Sequence, residues 1–408
     1  MIPEGWTARL LGELFDFKNG LNAEKHHYGS GTKFANVMDV LNTPQLTARH
    51  ITGSVQATPK QIAAYSLRFG DVLFNRTSET QEDIALAAVY MDHVPVVFGG
   101  FVIRARPKGG DIDPNFCLFA FSSKAIRDGM IRLGQGAVRS NIGQGDLATV
   151  QILLPSLPEQ HKIAEILSTW DRAIETVEAL IANAREQKAA LMQALLTGKR
   201  RLPGFEEDWH SMPISSMGAI ASGGTPDSSN PAYWDGDIAW ATPTDITKLR
   251  TRHISQTDRS ITAAGLSASA ARLLPAGTVI VCTRATVGAL AIAVGPICTN
   301  QGFKNIVPNQ KYDSAFLYYL LSFNEKALLR AAAGSTFAEV SKTDFERLVF
   351  SVPKLEEQRA ITSILIAADD ELEKFEAKLI ALRQEKAALM QQLLTGKRRV
   401  TTADTEAA

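Results

Sequence analysis

The stretch KAALMQALLTGKRR, from Lys188 to Arg201, returns as KAALMQQLLTGKRR from Lys386 to Arg399. Working backward, the match extends without a gap, so that Leu157–Arg201 aligns with Leu355–Arg399. About 24 of the 45 aligned positions are identical, and repetition of that strength defines the architecture before any other feature. Glu159-Gln160 and Glu357-Gln358 open the two copies. Apolar residues step through each copy by fours and threes: Ile163, Leu167, Trp170, Ile174, Val177, Ile181, Ala184, Leu191 and Leu195, then Ile361, Leu365, Ala368, Leu372, Phe375, Leu379, Leu382, Leu389 and Leu393. A period near 3.5 makes a helix with a seam for a partner helix. Glu165, Glu178, Arg185, Glu371, Glu376 and Arg383 suit the solvated side.

The ends of these helices are marked. Ser156 and Glu159 have capping-box spacing, and Pro158 falls in the first turn. Thr197-Gly198 and Thr395-Gly396 read as stops, followed by basic residues that suit a helix C-terminus. Lys188 and Lys386 interrupt the seam, either as long stems reaching water or as devices that fix register. Two such helices in one chain are most simply each other's partner. Connectivity then favours an antiparallel pair with internal pseudo-twofold symmetry and one lobe at each end of the rod.

Outward from the repeat, the chain reads as lobe 1–155, helix 156–200, lobe 201–353, helix 354–399 and a disordered tail 400–408. Both lobes have mixed α/β, α+β character. Strands are expected at Phe34–Val40, Asp71–Arg76, Ile84–Tyr90 and Val96–Arg106, and at Ile238–Ala241, Thr278–Thr283, Leu290–Val294 and Phe303–Val307. Helices are expected over Pro114–Leu133 and Ser314–Arg330. The strand ending in Arg76 resembles the strand ending in Arg284, which suggests that the lobes are related.

The 408 residues, 45% hydrophobic and 21% charged, suit at least two packed domains and exclude wholesale disorder. No apolar run approaches the roughly 20 residues of a membrane span, and no signal-peptide pattern opens the chain. Three sparse cysteines, Cys117, Cys282 and Cys298, fit a reducing cytoplasm and bland core packing. Lys plus Arg equals Asp plus Glu at 43 each, so any basic surface must come from placement rather than excess.

Catalytic constellations are missing. Gly198-Lys199 and Gly396-Lys397 lack the rest of a phosphate-binding loop and sit at helix ends. His26-His27 has no ligand pattern around it. Glu376-Ala377-Lys378 has a nuclease-like spacing on the wrong scaffold, a coiled-coil helix. No catalytic residue and no metal ligand is therefore assigned.

Several loops combine glycine, hydroxyls, amides and cations, the groups that bond phosphate oxygens and base edges. The candidate DNA-binding residues are Lys18, Asn19, Asn36, Arg76, Thr77, Ser78, Arg139 and Asn141 in the first lobe. In the second they are Gly224, Thr225, Thr242, Thr244, Arg284, Thr286, Ser335, Thr336 and Lys342. Each such loop taken alone reads more readily as an ordinary turn.

The layout and the twin Leu-x-Glu-Gln…Leu-Leu-Thr-Gly-Lys-Arg-Arg segments resemble the specificity subunit of type I restriction–modification systems. Lys18-Asn19-Gly20-Leu21-Asn22, Asn36-Val37-Met38-Asp39-Val40 and Ser222-Gly223-Gly224-Thr225-Pro226 are similar to phrases of that family's target recognition domains. The resemblance implies a non-catalytic chain whose lobes each read one half of a split site on double-stranded DNA. Its helices would set the spacing and dock two modification (methyltransferase) subunits, with restriction (helicase–nuclease) subunits joining them. The chain itself would carry no cofactor; S-adenosylmethionine, ATP and Mg would act on the partners. The neutral charge implies weak, salt-sensitive DNA binding by the isolated chain. The rival reading is a coiled-coil scaffold joining two protein-binding lobes without DNA. Methyltransferase and helicase–nuclease genes beside this one would favour the first.

Overall fold

The computed structural model describes residues 2–136, 139–332 and 339–401. The chain forms two compact units. One runs to Glu178 and takes up again at Ala377; the other is Ala179–Glu376. Each therefore contains one lobe and a part of each long helix, Leu157–Leu195 and Leu355–Leu393.

In the first unit a five-stranded sheet has the spatial order Phe15–Asn19, Val102–Pro107, Val72–Asn75, Ala87–Tyr90, Gln45–Leu46. Its pairings are antiparallel except the last. Val72, Leu73 and Phe74 are wholly buried, as a central strand covered on both faces requires. A second sheet orders Ser54–Val55, Tyr28–Ala35, Val97–Phe98. The strand Thr7–Leu10 pairs with Gln151–Leu154, beside the start of the long helix.

The second unit repeats the order of these three sheets. Its five-stranded order is Gly218–Ser222, Lys304–Pro308, Val279–Val281, Leu290–Ala293, His253–Ile254. Its three-stranded sheet is Arg259–Ile261, Trp234–Ala241, Cys298–Thr299, and His210–Pro213 pairs with Val349–Val352.

Several sequence expectations are corrected here. Phe34–Val40 is not one strand. The strand ends at Ala35, and Asn36 caps a helix over Val37–Asn42, its side chain accepting from Met38 N–H at 2.8 Å. Val96–Arg106 is broken by a turn at Gly99-Gly100-Phe101. Pro114–Leu133 is two helices, Pro114–Ala120 and Lys124–Leu133. Ser314–Arg330 likewise divides into Ser314–Phe323 and Glu325–Ala332, with Asn324 ending the first.

The repeated residues explain themselves once the contacts are drawn. Glu159 does not complete a capping box with Ser156. It is buried, and its oxygens accept from the Trp6 indole at 2.9 Å and from Arg399 at 2.7 and 2.9 Å. In the second unit Glu357 accepts from Trp209 at 3.1 Å and from Arg201 at 2.8 Å twice. Gln160 latches the helix to its lobe, accepting from Asp113 N–H at 2.8 Å and donating to the carbonyls of Asp111 and Pro155. Gln358 makes the same set to Asp313, Lys311 and Pro353. The helix stops are as expected: Gly198 and Gly396 both take φ 67°, the left-handed conformation that glycine adopts without a Cβ penalty.

Within each unit the long helices run antiparallel. In the first, Arg383 pairs with Glu178 at 2.6 Å and Lys386 with Asp171; the higher number on one helix meets the lower on the other. In the second, Arg185 pairs with Glu376 at 2.6 Å and Lys188 with Asp369 at 2.5 Å. Glu178, Arg185, Glu376 and Arg383 therefore bridge the helices rather than simply facing solvent. The seam lysines are only partly exposed and meet an aspartate on the facing helix, which favours the register reading.

Seam burial is uneven. Ile163, Leu167 and Leu393 join the first lobe's core, and Leu195, Ile361 and Leu365 join the second's. Ile181 is buried, whereas Ile174, Leu191, Leu372, Leu379 and Leu389 are half-buried, as side chains between only two helices are.

Tyr90 gives the first lobe a pH dependence. The side chain is wholly buried and its hydroxyl donates to Val94 O at 2.5 Å. Burial, then the Asp92 charge, pushes the phenol up to about 12. The folded state thus prefers the neutral form. Its stability is full below about pH 10, the ordinary tyrosine value, and declines as pH rises toward 12. Denaturant titrations of wild type and Tyr90→Phe at pH 8 and 11 are expected to show a smaller alkaline loss in the variant. Equal losses would exclude Tyr90 as the cause.

Candidate nucleic-acid interface

Four loops that lie far apart in the sequence converge at one edge of the first lobe. Leu21 N–H donates to Phe98 O at 2.8 Å, and Gly100 N–H donates back to Leu21 O at 3.0 Å, joining the 20–22 loop to the 99–101 turn. Arg76 ties in the third loop. Its N–H donates to Phe101 O at 2.9 Å, and its guanidinium reaches Gly100 O at 3.3 Å. The fourth loop pairs Ser140–Asn141 with Thr77–Ser78 in a two-stranded ladder, with Thr77 Oγ1 donating to Asn141 Oδ1 at 2.7 Å. Arg139 stands exposed beside it, 3.3 Å from Glu79. Arg76, Thr77, Ser78, Arg139 and Asn141 thus form one cluster.

The second lobe assembles the same edge from different residues. Gly224 N–H donates to Thr299 O at 2.9 Å, Thr283 N–H to Gly302 O at 2.9 Å, and Val340 N–H to Thr283 O at 2.9 Å. Thr225 bonds Gln301 through its hydroxyl. Arg284 pairs with Glu339 across an isolated bridge, and Thr286 is exposed beside it. These bonds set the true equivalence of the lobes. Arg76 corresponds to Thr283, and Arg284 to Thr77, one position away from the match that the sequences suggest. Ser335 and Thr336 lie outside the described residues.

Glycine is required where backbones cross. A Cβ on Gly20 would sit 2.1 Å from Gly99 O, and one on Gly223 would sit 1.9 Å from Asn300 O. Glycine at these two places lets the loops pack directly on the turn.

Other candidates have jobs inside the lobe. Lys18 Nζ donates to Ala64 O at 2.8 Å and lies 4.7 Å from the Tyr65 ring centre. With Arg106, which reaches Ser66 O at 2.8 Å and Asp71, it faces the C-terminal carbonyls of the helix Pro59–Tyr65, where cations are favoured. Arg104 is buried beside them, and burial, then the Arg106 charge, lowers its pKa. Asn36 and Thr242 are helix caps, and Thr242 shares Asp245 through a capping box. Gly224 is buried, its carbonyl accepting from Trp240 Nε1 at 2.9 Å. Asn19 is half-buried in the edge strand Phe15–Asn19, Thr244 is exposed in the helix that Thr242 caps, and Lys342 is exposed, 3.5 Å from Glu346.

Phe101 and Gln301 in the turn and Asn22 packed on it also stand at this edge, and none of them is among the residues that the sequence singles out as DNA-binding. The Gly99-Gly100 dipeptide was the available sign of a turn there. Among the described residues no group of three or more His, Cys, Asp or Glu could hold a metal ion, and no helix is long and apolar enough to cross a membrane.

Two lobes of one topology, each ending in a looped edge of amides, hydroxyls and arginines, define a duplicated recognition protein. The family model for the type I restriction modification DNA specificity domain matches residues 3–185 and again 206–382, and the chain belongs to that family. A Methanocaldococcus jannaschii chain assigned as the specificity subunit of type I restriction enzyme MjaX is 26% identical over 417 residues, covering 98% of this chain and 95% of that one. The MjaIX specificity subunit of the same organism is 36% identical over 169 residues, 41% of this chain and 39% of its own length. Among solved structures, the S subunit of a type I system from M. genitalium aligns with a TM-score of 0.60 at 17% identity, covering 96% of this chain and 99% of that one. A chain solved in a study of type I complex assembly and conformational transition aligns at 0.63 and 19% identity, covering 97% and 98%.

Proposed function

We propose that each lobe reads one half of a bipartite DNA site, that the helices fix the gap between the halves, and that the chemistry belongs to partner subunits. One observation carries this reading. The two lobes share strand order and loop convergence, yet differ in the side chains at that edge: Arg76, Thr77 and Phe101 against Thr283, Arg284 and Gly302. A common frame with different contacts is what reading two unlike half-sites requires. The charged pairs along the helix seam supply the fixed register that a spacer needs. The modification subunits would bring S-adenosylmethionine, and restriction subunits ATP and Mg; this chain would choose the site, in the cytoplasm.

The test is methylation mapping by single-molecule sequencing in a host that carries the chain with its modification subunit. Inserting seven residues at matched places in both helices keeps the seam in phase and adds about 10 Å, roughly three base pairs. The mapped gap is expected to lengthen by that amount with both half-sites unchanged. Altered half-sites, or an unaltered gap, would refute the spacer role. Replacing the second lobe by a foreign one should change one half-site alone; changes in both would show that the lobes do not read independently.

A further inference from the structure

Phe101 is the most exposed large apolar side chain among the described residues, at 64%. Its surroundings are neither loose nor apolar. Val102 N–H donates to Gly99 O at 2.9 Å and closes a tight turn with Gly100 and Phe101 at its corners. The Arg76 bonds to Gly100 O and Phe101 O hold that turn from below. Asn22 lies against Gly100 so closely that a Cβ there would come within 1.8 Å of its Oδ1. A phenyl ring is thus held toward solvent amid an arginine and an amide.

The fold does not need the ring. In the second lobe the same corner is Gln301-Gly302, and Thr283 N–H still donates to Gly302 O at 2.9 Å. With glycine in the equivalent place the chain still turns here, the Thr283 bond to it is kept and the flanking strands persist. A large aromatic this exposed, on a turn held at a polar edge, suits an anchor for something outside the chain. The major groove offers one apolar group on its base edges, the thymine 5-methyl.

We propose that Phe101 contacts the 5-methyl of one thymine in the half-site read by the first lobe, and so determines that base. This rests on the reading of the lobes as DNA readers. The second lobe reads its half-site through the Thr225–Gln301 pair and Arg284 without an apolar contact at this corner.

The experiment uses the complex of the chain with its modification subunit and duplexes bearing the mapped site. Each thymine is replaced singly by deoxyuridine, which removes only the methyl. With wild type, one position in the first lobe's half-site is expected to weaken binding about fourfold, the worth of one buried methyl. Phe101→Ala should bind the unmodified duplex more weakly by about the same factor and lose its dependence on that methyl. Phe101→Leu should retain it. Unchanged dependence of binding on the other bases of the first half-site shows that the first lobe of the variants is folded. If no wild-type position is sensitive, or if the sensitivity survives in Phe101→Ala, the proposal falls. A ring wedged between base pairs would make Phe101→Ala weaker with no methyl dependence in wild type, which also overturns it. Failure of the underlying reading looks different: the wild-type complex would then not prefer the mapped site over a scrambled duplex.

Discussion

A Trp240→Ala chain is expected to lose about 3–5 kcal/mol from the second lobe, with recognition of one half-site lost and the other kept. Trp240 is 3% exposed and belongs to a small cluster with Trp234, Ile261, Ala271 and Cys298. Its ring meets Trp234 edge-on at 5.0 Å, and Arg259 stacks on Trp234 at 3.6 Å. So small a cluster cannot close over the void that an indole leaves. The functional loss has a separate cause. Trp240 Nε1 donates to Gly224 O, which holds the Gly223–Thr225 loop against the turn. Trp240→Phe separates the two effects, because the first lobe has Phe34 at this place, packed edge-on against Tyr28 at 5.3 Å. It is expected to keep most of the stability and to weaken recognition. Denaturant unfolding and methylation mapping measure the two; a stable Trp240→Ala chain with an intact second half-site would refute the argument.

Asp369→Ala is expected to cost the second unit about 3–5 kcal/mol, and Asp171→Ala in the first only about 1 kcal/mol. The aspartates occupy equivalent places but not equivalent surroundings. Asp369 is 14% exposed; it accepts from the Tyr319 hydroxyl, pairs with Lys188 and lies 3.9 Å from Arg252. Removing it leaves Lys188 and the Tyr319 hydroxyl without this partner and Arg252 with Asp370 alone, 4.0 Å away, and Arg252 Nε already has no hydrogen-bond partner among the described residues. Burial, then the bond to Asp369, raises the Tyr319 phenol well above its ordinary value, so that it stays a donor at any physiological pH. Asp171 is 37% exposed, and Phe119 lies beside Lys386 without a hydroxyl to offer. The combined change Lys188→Met, Arg252→Met, Asp369→Leu, Tyr319→Phe should recover most of the stability, since an apolar cluster of like volume replaces the buried charges at little cost. Equal losses in the two single variants would show that the local environment does not matter.

The helices were legible because their signals are local and repeated: the seam period, the glycine stops and the twin Glu-Gln. What Glu159 and Glu357 do was not, because Trp6 and Arg399, or Trp209 and Arg201, reach them from far along the chain. The helix at Val37 was read as strand because Val37 and Val40 continue an apolar run, although Asn36 and Asp39 carry capping-box spacing. Most of the candidate loop residues were named from composition. Composition could not tell caps such as Asn36 and Thr242 from residues at the edge, nor show that four loops meet. Matching Arg76 to Arg284 failed because strand ends were compared; the ladder bonds, which fix equivalence, leave no trace in sequence.

The first unit draws on both ends of the chain, whereas the second is one continuous stretch, Ala179–Glu376. A ribosome therefore delivers every residue of the second unit before it completes the first. The opening lobe emerges early but must wait, with Ile163 and Leu167 uncovered, until Leu393 arrives to pack beside them and Arg399 to meet Glu159. The usual order of maturation, amino-terminal domain first, is thereby reversed. Released chains ending at Glu376 should expose the first lobe, not the second, to proteases and chaperones.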